Sequence, residues 1–108
     1  MKTRIWVRSG IEEDFDIRQQ RLIELVMSKI EIYYRDFYQT QPRYQHPLSL
    51  NHLMKLTKRN SYAVVGAIRV LANSIEKGGE EPRVFYDRTK SDRNRSHRPY
   101  RIFLRKRN

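Results

Sequence analysis

The chain has 108 residues, a length suited to one domain around one core, and 23 Lys/Arg against 12 Asp/Glu give it a formal net charge of +11. The absence of cysteine excludes disulfide frameworks and thiolate metal sites and suits an intracellular home, expected to be cytoplasmic or nucleoid-associated. No apolar run approaches the roughly 20 residues that span a bilayer, and the segment from Met1 to Arg8 is too polar for a signal peptide. The positive field favours phosphate-rich partners, DNA, RNA or an anionic membrane surface, of which nucleic acid and no membrane is the expectation.

The charge is unevenly spread. Residues 1–57 hold nine Lys/Arg and seven Asp/Glu, a net of +2, whereas residues 58–108 hold fourteen and five, a net of +9. Between 88 and 107 nine bases face a single acid, Asp92. Charge kept only for solubility would be more evenly mixed.

In chain order, residues 1–10 read as a strand or arm. Thr3, Ile5 and Val7 alternate with Arg4, Trp6 and Arg8, and Ser9-Gly10 ends the run. On this face assignment Trp6 has a place at a subunit contact or on the following helix. The acids Glu12, Glu13, Asp14 and Asp16 read as the approach to a helix, with Asp14 or Asp16 as its cap. That helix is expected over 15–39. Leu22, Val26, Ile30, Tyr33 and Phe37 form its stripe, and Ile23, Met27 and Tyr34 widen it. Tyr33, Tyr34 and Tyr38 read as core or interface residues and not as base-stacking platforms. Pro42 and Pro47 bracket a loop.

Residues 49–77 read as a helix-turn-helix. Ser49 caps a short helix bearing Leu50, Leu53, Met54 and Leu56, and Thr57-Lys58-Arg59-Asn60 break it. Asn60 or Ser61 caps a second helix, in which Val64, Ile68, Leu71 and Ile75 recur at helical spacing and Gly78-Gly79 act as the stop. Residues 83–105 read as a hairpin. Strands at 83–87 and 100–105 flank a basic loop whose only apolar residue is Pro99.

The run from Pro47 to Thr57, followed by Ser61 to Leu71 and then by the basic hairpin, resembles the winged helix-turn-helix superfamily of DNA-binding domains. The resemblance covers about residues 48–105. It implies one α+β, mainly α, domain over 1–108, with three helices, a C-terminal wing and a short N-terminal strand. It also implies a recognition helix in the major groove of double-stranded DNA. Lys58 and Arg59 would then meet backbone phosphates, and Asn60, Ser61, Tyr62 and Arg69 would read bases. Arg88, Lys90, Arg93, Arg95 and Arg98 would follow the backbone or a narrow minor groove from the wing. Gly66 would serve either close approach to another surface or mere tolerance of a small residue.

The wide stripe of the first helix suggests a homodimer through that helix and the N-terminal strand, setting two recognition helices on a palindromic site. A dimeric regulator, a plasmid or phage partition factor and a replication accessory factor all fit. RNA binding and a protein-interaction module with a basic docking surface are the alternatives. No cofactor is expected. His46, His52 and His97 lack metal-ligand spacing, and no phosphate loop or nucleophile motif argues for an enzyme.

Overall fold

The computed structural model describes residues 6–8, 11–12, 15–40, 47–79, 81–88 and 100–105. They form β1 (Trp6–Arg8), β2 (Ile11–Glu12), α1 (Ile17–Thr40), β3 (Leu48–Ser49), α2 (Leu50–Thr57), α3 (Ser61–Asn73), β4 (Ile75–Glu76), β5 (Val84–Arg88) and β6 (Tyr100–Leu104). The architecture is α+β and mainly helical, with antiparallel pairings in the orders β2-β1-β4 and β3-β6-β5.

Helix α1 starts where a reciprocal cap forms. The Asp16 carboxylate accepts the N–H of Gln19 at 2.8 Å, and the Gln19 side-chain oxygen accepts the N–H of Asp16 at 3.0 Å. The start thus falls at Ile17 and not near 15; Asp14 lies outside the described residues. The buried seam comprises Ile23, Val26, Met27, Ile30 and Tyr34, with Leu22 and Tyr33 partly buried at its edge. The axis is therefore turned from the expected line of Leu22, Val26, Ile30 and Tyr33. The stripe is wide because α2, α3 and β6 all pack on α1. Among the described residues of α1, only Ile17 and Ile32 remain as large exposed apolar side chains. Among the described residues, neighbours within the chain cover most of the width that suggested a homodimer; the side chain of Phe37 lies outside the described residues.

The N-terminal segment departs most from expectation. Trp6 is only 5% exposed and belongs to the core of its own chain, so it has little surface left for a subunit contact. Val7, on the opposite face of the strand by alternation, is half-buried. Ile11 and Glu12 pair with Arg8 and Val7 as β2, and so do not lead into the helix. On its other edge β1 pairs Trp6 with Glu76 and Val7 with Ile75.

That second pairing explains why α3 stops at Asn73 instead of reaching 77. The Asn73 side chain donates to the Arg69 carbonyl at 2.7 Å, and Ser74 turns extended at φ −129° and is buried. Ile75 then belongs to β4 and not to the helical stripe. Gly78, at φ 91°, lies in the turn after β4. The Gly79 N–H donates to the Glu76 carbonyl at 2.7 Å, so the two glycines close that turn and do not cap α3.

In the second sheet β5 and β6 pair from Val84↔Leu104 to Arg88↔Tyr100. Val84, Tyr100, Ile102 and Leu104 are buried. The alternate positions carry Phe85 stacked on Phe103 at 4.9 Å and the Arg105 guanidinium over the Phe85 ring. Strand β3, which sequence periodicity does not reveal, adds Leu48 opposite Ile102. The core cluster draws on α1, α2, α3 and both sheets. It includes Leu53, Val64, Ala67, Ile68 and Leu71.

Candidate nucleic-acid interface

The turn between α2 and α3 is built from three local devices. Ser49 caps α2 by accepting the His52 N–H at 3.1 Å. Asn60 caps α3 by accepting the Ala63 N–H at 2.9 Å. Between them Lys58 adopts the left-handed conformation, φ 56° and ψ 39°, and its N–H closes α2 on the Met54 carbonyl. This conformation costs a non-glycine residue roughly 1–2 kcal/mol. Thr57 is buried behind the turn, with its hydroxyl donating to the Leu53 carbonyl at 2.8 Å.

Helix α3 divides into two faces. Val64, Ala67, Ile68 and Leu71 are buried against the core. Tyr62, Gly66, Arg69 and Asn73 point away from them and are exposed, Tyr62 by 90%. A Cβ added at Gly66 would meet nothing within 4 Å. Tyr62 and Gly66 of this face also line an apolar groove of about 250 Å³ between α3 and the start of α1, together with Phe15, Leu22, Ala63 and Val70.

The electrostatics are one-sided. From Pro47 to Ile75 the sequence contains no Asp or Glu, while Lys55, Lys58, Arg59 and Arg69 all lie within it. Those four side chains are exposed, and among the described residues none is in a salt bridge. By contrast, two arginines of the hairpin are engaged. Arg101 forks onto both carboxylate oxygens of Asp87 at 2.8 and 2.9 Å, and Arg83 meets Glu31 at 3.5 Å.

Lys58, Arg59, Asn60, Ser61, Tyr62, Gly66 and Arg69 are thus all exposed residues of the α2–α3 unit. Arg88 ends β5 opposite Tyr100, but its side chain lies outside the described residues, as do Lys90, Arg93, Arg95 and Arg98. Two features escaped sequence reasoning. Asn73 shares the outward face, a position obscured by extending α3 too far. The acid-free stretch is plainly visible in the sequence but is diluted when charge is totalled by halves. Of the tyrosines, Tyr34 is buried in the core. Tyr33 meets Tyr34 and His52 edge-on at 5.0 and 5.4 Å, and burial pushes its hydroxyl above the usual tyrosine pKa. The side chain of Tyr38 lies outside the described residues.

No described helix is long and apolar enough to cross a membrane. Compared with known protein families, curated proteins and solved structures, the chain matches none.

Proposed function

We propose that this protein is a winged-helix DNA-binding protein that lays α3 in the major groove of duplex DNA. The observation that carries the reading is the exposed face of Tyr62, Gly66 and Arg69, standing next to Lys58 and Arg59 in a stretch free of acids. A helix with this face suits the major groove of B-form DNA, which admits an α-helix and displays a distinct pattern at each base pair. The deep, narrow major groove of A-form RNA does not admit one. Lys58 and Arg59 serve as phosphate contacts that set orientation, and Arg69, with no salt-bridge partner among the described residues, serves as a guanine reader.

The topology supports reading β5–β6 as a wing. β3 leads directly into α2 and pairs with β6, so the hairpin is fastened to the start of the helix-turn-helix. Its basic segment from Arg88 to Arg98 would reach the flanking backbone or minor groove. The test compares binding of the full chain to duplex DNA, duplex RNA and single strands at one salt concentration. Selection from a random duplex pool follows. The proposal expects preference for duplex DNA and an enriched motif. Equal or better binding to duplex RNA overturns it.

A further inference from the structure

Two positions on the exposed face carry the residue that folding disfavours. Lys58 is the one described non-glycine residue with positive φ, at a helix end where glycine is the favoured choice. Gly66 lies within α3, where glycine is the poorest helix former apart from proline. Close packing inside the chain accounts for neither choice: Gly66 borders the open groove between α3 and α1. The Lys58 side chain is exposed and in no salt bridge among the described residues. The space where a Gly66 side chain would stand is open. A glycine at 58 and an alanine at 66 would each suit the fold better.

The two departures lie in one helix-turn-helix segment. Both are exposed, each four residues from the exposed Tyr62 in sequence, within a stretch that holds no acid from Pro47 to Ile75. Natural chains break local rules where function demands it. Two such breaks in opposite senses, a side chain where none is wanted and none where one is wanted, argue for a common external cause. A polyanion with a groove supplies it. It attracts an ammonium held at the helix end, and it brings the α3 backbone closest where no Cβ protrudes.

Resting on the DNA-binding reading above, we infer that Gly66 is the point of closest approach between α3 and duplex DNA and that Lys58 is held in its left-handed turn to meet a phosphate beside it. Tyr62 and Arg69 then reach bases on either side of the glycine. A side chain at 66 holds the helix off the groove and takes both readers out of range together. Removing the Lys58 side chain loses one phosphate contact and leaves the reading of bases unchanged.

The test uses the full chain with Lys58→Gly, Gly66→Ala, Gly66→Leu and the double variant Lys58→Gly/Gly66→Ala. Thermal melting and binding to a duplex selected by the parent are measured across a salt series. Each single glycine–side-chain exchange is expected to raise the melting temperature by about 4 °C, and the double variant to melt above either. Gly66→Ala weakens binding about tenfold and Gly66→Leu more than a hundredfold, with the salt slope unchanged. Lys58→Gly makes the slope of log K against log salt shallower by about 0.9. Parent-like binding by Gly66→Leu overturns the inference while leaving the DNA-binding reading intact. A lower melting temperature for Lys58→Gly or Gly66→Ala also overturns it, since the residue then serves the fold. A parent protein that binds no duplex overturns both readings.

Discussion

The hydroxyl of Tyr34 donates to the carbonyl of Ile102, 68 positions further along the chain, and accepts the N–H of Leu48 at 3.1 Å. One side chain of α1 thus fastens β3 and β6 where these strands pair, and both backbone groups are buried with it. Tyr34→Phe keeps the ring and leaves the Leu48 N–H without this acceptor and the Ile102 carbonyl without this donor. The expected loss is about 1–3 kcal/mol, read as a lower urea midpoint at unchanged slope. A midpoint equal to that of the parent would show that the bridge carries no weight.

Trp6 provides a second check on how the helices are held. It is the single tryptophan, and β1 joins it to Glu76 just beyond α3. Trp6→Ala is expected to cost about 3–5 kcal/mol, as large-to-small changes at buried aromatics do. In the parent, tryptophan emission should be blue-shifted and should move red with the same midpoint as the loss of helical circular dichroism. Solvent-like emission from the folded protein would contradict the burial of Trp6.

Lys58 and Arg59 are assigned to phosphates and Arg69 to a base, and these roles predict different signatures. Lys58→Ala or Arg59→Ala should weaken binding to all duplexes alike, each making the salt slope shallower by about 0.9. Arg69→Ala should instead flatten preference at one position of the selected motif by about 1–3 kcal/mol. Competition between the selected duplex and its single-base variants separates the two patterns. Uniform weakening by Arg69→Ala would reassign it to the backbone.

Asp87 and Arg101 form a bidentate pair on the stem of the hairpin, but each side chain is nearly half exposed, 49% and 46%. Solvent screening keeps such a pair weak, so Asp87→Asn should change stability by no more than about 1 kcal/mol in thermal melts. Removing the acid also releases the Arg101 guanidinium beside the wing, so duplex binding should tighten at low salt. Weaker binding would mean that the fork holds the stem in a shape the DNA contact needs.

The elements most legible in the sequence were those that local chemistry defines. Ser49 reads as a cap, and Asn60 as one of two candidates with Ser61; Ser49 and Asn60 both accept a backbone N–H at the helix start. The strands of the hairpin were read from their alternation and fall within a residue or two of the expected bounds. What was missed depends on partners far away. Ile75 continues the α3 stripe in sequence, yet pairing with Val7 takes it into a strand. Leu48 and Ser49 are too few to show a period of two, and only Ile102 and Arg101 opposite them make them a strand. For Trp6 the sequence leaves a subunit contact and packing within the chain both open, because a short alternating run does not say which face is covered; the residue lies in the core of its own chain. For the candidate site, the turn and the start of α3 were located correctly. The left-handed backbone of Lys58 and the open space at Gly66 needed coordinates.

The pairing of Trp6 with Glu76 and of Leu48 with Ile102 also sets an order of events during synthesis. Each sheet waits for a strand made long after its partner, and β6, the last described strand, completes the second sheet. Helices α2 and α3, with their own caps and short turn, emerge with α1 already made to pack against, whereas the contacts of α3 with β5 come later. Folding dominated by such distant pairings is slow and leaves apolar surface uncovered while it proceeds. A nascent chain of this protein would therefore carry a basic, partly formed helical pair before its core has closed. Polyanions nearby are the surface such an intermediate would meet first.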